Sequence, residues 1–171
     1  MSNWQIKLES IEQVDELNYE SLEPKYIKVQ FIGTTLVYLI LAILPLIFFF
    51  TTKELEYKTI LFTAIEGLIL LTGIFNLWLL PKSYAYKGFA IREHDITYRS
   101  GIIFPSTVTI PFCKIQQVSI QQNPLSRIFK LYSVDIVNGA QLLAETHIPG
   151  LTEQRANELK ALLVERIKDG K

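Results

Sequence analysis

Two long apolar runs, residues 29–50 and 59–80, constrain this chain more than any other feature. The first has no ionisable side chain besides the weakly acidic phenol of Tyr38, and the second carries one formal charge, Glu66. About 22 residues at 1.5 Å each make ~33 Å of helix, enough to cross the hydrocarbon core of a bilayer. Lipid offers no hydrogen-bond partners to the backbone, so each run reads as a transmembrane helix. The link, residues 51–58, is too short to be a domain, and the helices are expected to be antiparallel neighbours in a hairpin spanning residues 25–81. Pro45 is expected to kink the first helix and Pro81 to stop the second. Trp78 and Tyr84 suit an interfacial belt, with Lys82 reaching the headgroups.

Lys25 and Lys28 precede the first run and Lys82, Lys87 and Arg92 follow the second, whereas only Lys53 and Lys58 lie in the link. Basic residues stay on the cytoplasmic side, which predicts a multi-pass plasma-membrane protein with both termini cytoplasmic. Residues 1–24 have neither the basic start nor the apolar core of a cleavable signal, so none is expected. The formal net charge is zero, which gives no basic excess for nucleic acid. Cys113 is the single cysteine, so no intrachain disulfide forms, and it reads as a small core residue.

Residues 1–24 form an acidic arm: Glu9, Glu12, Asp15, Glu16, Glu20 and Glu23 stand against Lys7 alone. Residues 82–151 carry seven basic and four acidic side chains, so the arm is expected to rest on this part. From Tyr84 onward the apolar period changes to two. Strands are expected around residues 84–91, 96–99, 107–110, 115–120, 133–137 and 142–148, with turns at Pro105, Pro111, Asn123-Pro124 and Asn138-Gly139. A helical turn is expected within 125–131. Thr152 caps a final helix of about 17 residues, whose Ala156, Leu159, Leu162, Leu163, Val164 and Ile167 form an apolar stripe. The expected class is α+β, with the hairpin followed by a cytoplasmic domain over 82–171.

Four motifs occur in order: Tyr98-Arg99-Ser100-Gly101, Ile110-Pro111 with Lys114-Ile115-Gln116, Pro124-Leu125-Ser126-Arg127, and Ile148-Pro149-Gly150-Leu151 before a helix. Behind a two-helix hairpin, this order resembles the YdbS-like bacterial PH-domain membrane proteins. The resemblance covers about residues 26–167. It implies a pleckstrin-homology-like antiparallel β-barrel capped by the last helix and held at the cytoplasmic face. It also implies company with a larger multi-PH membrane paralogue and a loose link to envelope stress or antimicrobial resistance. The family pattern has glycine where this chain has Asn123 and Lys130; asparagine can still take the left-handed turn conformation that glycine favours.

A phosphoinositide pocket needs clustered basic groups, and the turn Arg92-Glu93-His94-Asp95 holds two carboxylates instead. Lys82, Lys87, Lys114, Gln116 and Arg127 are the candidates for lipid or partner contact. Within the membrane, Glu66 is expected to face protein or water rather than lipid, on one helix side with Thr63 and Gly73; Tyr38 of the first helix is one partner at that depth and a second subunit the alternative. His94 and His147 lack ligands at metal spacing, and no cofactor is expected. None of the common nucleophile, phosphate-loop or zinc motifs occurs. The expected function is therefore a tethered interaction module that docks a membrane protein or a second copy, with anionic-lipid sensing the alternative and a membrane enzyme a distant third.

Overall fold

The computed structural model describes residues 17–51, 57–139 and 145–169. A two-residue strand β1 (Glu20–Ser21) leads into α1 (Lys25–Thr51) and α2 (Lys58–Tyr86). Strands β2 (Gly88–Ile91), β3 (Asp95–Ser100) and β4 (Ser106–Pro111) follow, then a 3-10 turn (Phe112–Lys114). The chain continues as β5 (Ile115–Gln121), α3 (Pro124–Ile128), β6 (Tyr132–Asn138), β7 (Glu145–Leu151) and α4 (Glu153–Asp169).

The strands form two antiparallel sheets, β1-β2-β3-β4 and β5-β6-β7. This is the α+β, PH-like order that the sequence predicts, but the sheets do not close into a barrel. The 3-10 turn re-aims the chain between β4 and β5, burying Phe112 and leaving the neighbouring Cys113 exposed, which corrects its expected core position. Alternation supplies the shared core. In the first sheet Ile96 faces Ile91 and Ile110, and Phe89 faces Tyr98. In the second, Val134 pairs with Ile120 and Ile148. Both Val134 and Ile148 are fully buried.

Helix α4 closes the core as its periodicity predicts. Ala156, Leu159 and Leu163 recur at 3–4 residue spacing and are buried, and the helix packs on all three strands of the second sheet. Each leucine contributes on the order of 2 kcal/mol by leaving water. The Thr152 Oγ1 accepts the Arg155 N–H at 3.3 Å, the expected cap.

The hairpin grows out of the first sheet between β1 and β2. Leu22, just after β1, is buried in the core, and its carbonyl accepts the Tyr84 hydroxyl at 2.7 Å. The Glu23 N–H donates to Gly150 O at 2.9 Å. Tyr26 and Tyr84, at the bases of α1 and α2, pack against the core cluster. Arg155 of α4 pairs with Glu20, and its other nitrogen lies 4.0 Å from Glu23. The end of the arm is therefore part of the sheet, held by strand pairing and by Arg155, which lies beyond the 82–151 stretch expected to attract it; Glu9, Glu12, Asp15 and Glu16, which carry most of the arm's charge, lie outside the described residues.

Pro81 does not stop α2, which continues to Tyr86. The bond lost at Pro81 is offset because the last turns are held by the buried Leu80 and the anchored Tyr84. Likewise α1 begins at Lys25, and Val29 near its base is buried. Both helices thus extend into the soluble part as a stalk.

Candidate membrane-side interaction surface

Along the hairpin, the less exposed positions are Tyr38, Ala42, Pro45 and Phe49 on α1 and Phe62, Glu66, Ile69, Gly73 and Leu77 on α2. This 3–4 spacing is the seam of two antiparallel helices. Phe49 and Phe62 meet at 4.7 Å between ring centroids. A Cβ on Gly73 would stand 3.1 Å from Tyr38 Cδ1, so the glycine is what lets the ring approach. The Tyr38 hydroxyl accepts the Asn76 amide at 2.7 Å. Asn76, one turn from Gly73, is the partner that sequence reading missed in favour of Glu66. Glu66 is half-buried on the seam, two turns from Gly73. Thr63 is exposed and off the seam, and its hydroxyl donates to Thr59 O at 2.8 Å.

The cationic candidates sit on different elements. Lys82 is exposed, with its Nζ 4.1 Å above the Trp78 ring. Lys87 is half-buried near Tyr26, 5.7 Å from the ring centre, and burial lowers its pKa. Arg127 is exposed on α3, whose neighbour Leu125 reaches to 3.5 Å of a Cβ built on Gly33 of α1. Lys114 and Gln116 lie at the other end of β5, roughly 20 Å away at 3.3 Å per residue. Gln116 packs over Gly139, where a Cβ would come 2.9 Å from its Cγ. In the turn Arg92–Asp95, both Asp95 oxygens accept from Arg92 at 2.8 Å, so that arginine braces the turn.

The motif residues have structural roles. Tyr98 lies in the core, where burial, with the Tyr26 phenol adding, raises its pKa. The Arg99 guanidinium lies between the rings of Tyr19, at 3.9 Å, and Tyr86, at 5.0 Å. Gly101 has φ 79° and Gly150 φ 67°, both in the left-handed region. Asn123 is extended rather than left-handed, and its side chain caps α3 by accepting the Ser126 N–H at 2.7 Å. Lys130 takes the left-handed turn instead, at φ 53°. Its own N–H reaches Arg127 O, and the Leu131 N–H reaches Ser126 O, closing the end of α3.

Two features of the first sheet stand out. Strand β4 pairs only with β3 among the described residues, and its first four residues, Ser106-Thr107-Val108-Thr109, are exposed and uncharged. The loop before it, Gly101-Ile102-Ile103-Phe104-Pro105, leaves Ile103 59% and Phe104 85% exposed. This loop shares a groove of about 290 Å³ with Thr34 of α1 and Asn76, Leu79, Leu80 and Ser83 of α2. Across β6 and β7, His147 Nδ1 lies 2.5 Å from the buried Asp135 Oδ1, a side-chain pair and not part of a metal cluster; no such cluster occurs among the described residues.

A family model for the bacterial PH domain matches residues 26–167, which takes in the stalk, the hairpin, both sheets and α4. The chain belongs to this family. The UPF0699 transmembrane protein YdbS of Bacillus subtilis (strain 168) is 29% identical over 92 residues, 53% of this chain and 56% of that protein. The UPF0699 transmembrane protein YdbT of the same strain is 30% identical over 80 residues, 44% of this chain and 16% of that protein. The matched region thus spans about half of one relative and a small part of the other. No solved structure gives a significant match. With two helices of sufficient length and hydropathy, and relatives named as transmembrane proteins, this bacterial PH domain is a membrane protein.

Proposed function

We propose that this bacterial PH domain is a non-catalytic docking module, held by its two-span hairpin with both termini cytoplasmic, that receives an extended segment of a partner membrane protein along β4. The observation that carries this reading is the open edge of β4. Unpaired strand edges are templates for added strands, and proteins that must avoid this place lysine, proline or a bulge along them. Here the exposed run is Ser, Thr, Val, Thr, with prolines only outside it at Pro105 and Pro111. The edge begins beside the hairpin, where α2 and the preceding loop meet, which favours a partner segment close to its own membrane helix. A larger relative such as YdbT, of which the matched stretch is only 16%, offers the kind of membrane protein that fits. Orientation rests on the excess of lysine and arginine at the stalk over the link.

The test is site-specific photocrosslinking in native membranes, with the full chain carrying a benzophenone amino acid at Val108 or, as a control, at Glu165 on the exposed side of α4. The expected result is one discrete adduct with an integral membrane protein from Val108, absent from Glu165 and lost when Thr107 and Thr109 are both replaced by lysine. Equal labelling at the two sites, or none at Val108, contradicts it. An adduct of two copies of the chain replaces the partner with a homodimer.

A further inference from the structure

We infer that the loop of residues 101–105 is a membrane wedge, whose Ile103 and Phe104 enter the acyl region of the leaflet facing the soluble module. The inference is independent of what occupies β4. Its first support is depth. The groove-lining residues of α2 run from Asn76 to Ser83, ~10 Å along the helix axis at 1.5 Å per residue. The same band holds Trp78, 60% exposed, and the Lys82 ammonium lying over its ring. An exposed tryptophan with a lysine next to it is the side-chain chemistry of the lipid headgroup boundary. Residues sharing a groove with this band stand at the same level, and at that level an exposed phenylalanine meets lipid.

Composition and shape agree with this placement. The loop and its flanks, from Ser100 to Ser106, contain no charged side chain that would oppose entry into an apolar phase. Gly101, at φ 79°, lets the chain close on itself so tightly that the Phe104 carbonyl occupies the space a Cβ would take. The loop therefore presents a preset apolar tip. A second apolar point stands on α3: Ile128 is 74% exposed, and Leu125 of the same helix packs at Gly33 of α1. Contacts at α3 and at the loop, beside two crossing helices, fix the tilt of the sheets against the bilayer. Thr34 of α1 opens onto the same groove, while Val29, five residues earlier, is buried. From Thr34 to Thr51 α1 still rises ~26 Å, close to the thickness of a thin bilayer core.

The test uses the full chain reconstituted in vesicles of phosphatidylethanolamine and phosphatidylglycerol. In a Cys113→Ser background, Ile103→Cys and Phe104→Cys are labelled singly with an environment-sensitive nitrobenzoxadiazole dye; the native Cys113, labelled in the unsubstituted chain, is the water-exposed reference. Each loop variant keeps the other apolar residue. The expected result is blue-shifted emission at 103 and 104 relative to 113. That emission is quenched when the vesicles include phosphatidylcholine with a nitroxide on its acyl chain about 5–10 Å below the headgroups. Emission like that of Cys113 overturns the proposal. So does a blue shift that no nitroxide lipid quenches, since it means that protein and not lipid covers the loop.

Discussion

Replacing Gly150 by alanine probes the joint through which the hairpin holds the sheets. Gly150 has φ 67°, and an added Cβ would stand 2.6 Å from Cγ and 2.7 Å from Cβ of Tyr26 at the base of α1. A left-handed conformation costs an L-residue about 1–2 kcal/mol, of which ~0.4–1 is returned because alanine restricts the unfolded chain more than glycine. Ordinary carbon contacts are ~3.5–4.0 Å, so the Tyr26 ring must withdraw by about 1 Å in a packed junction, and overpacking of this kind costs ~1–3 kcal/mol. Gly150→Ala is thus expected to destabilise the soluble part by about 2–4 kcal/mol. It should also weaken the Glu23 N–H to Gly150 O bond and speed hydrogen exchange at that amide. Pulse proteolysis of the full chain in mild detergent, titrated with urea, measures the loss. In a Tyr26→Gly background, which removes the Cβ as well as the ring, the steric part vanishes and Gly150→Ala should cost only about 1 kcal/mol, the conformational remainder. A neutral Gly150→Ala, or an equal loss in both backgrounds, refutes the claim that the ring and the glycine are fitted to each other.

Three further outcomes follow from local geometry. Lys130→Gly should stabilise the soluble part by about 0.5–1 kcal/mol in the same urea titration, because φ 53° suits glycine and the entropy of the unfolded glycine offsets only part of the gain. His147→Ala should cost about 1–3 kcal/mol, since it strips the partner from the 3% exposed Asp135, and Asp135→Asn should recover part of the loss in that background. Tyr98 has a folded pKa raised above its ordinary 10.0, so its contribution is complete below that pH and lost as pH rises beyond it. Tyr98→Phe should therefore reduce the fall in stability above pH ~10, read by pulse proteolysis across alkaline buffers.

Periodicity made the long elements legible. The hairpin, α4 with its Thr152 cap, and most strands announce themselves through apolar spacing, and the motif glycines Gly101 and Gly150 occupy the positive-φ positions that glycine favours. What the sequence concealed depends on neighbours. Strand β1 is two residues long and exists because Glu20 and Ser21 pair with Phe89 and Gly88. Pro81 signals a helix end, yet the anchors around it hold the next turn in place. Cys113 looked like a core residue because the 3-10 turn that gives the inward place to Phe112 has no periodic signature. Asn76 was obscured by Glu66: a neutral amide in an apolar run attracts less notice than a charge, although it makes the cross-helix bond.

The candidate site was less legible than the fold. Of the five expected contact residues, Lys114 and Gln116 lie at the far end of β5 from Arg127, because chemical type does not reveal which end of a strand a residue occupies. The apolar Ile103 and Phe104 carried the informative signal, two large hydrophobes in a turn. They gain meaning only once α2 is known to pass beside them.

The side of the membrane on which the sheets lie is the premise beneath the docking proposal, and the chain carries its own reporter. Cys113 is its single cysteine and is exposed on the 3-10 turn between the sheets. With a membrane-impermeant maleimide, Cys113 should remain unlabelled in intact cells and react fully once they are permeabilised. A cysteine placed at Glu54 in a Cys113→Ser background should react without permeabilisation. Labelling of Cys113 in intact cells contradicts the account.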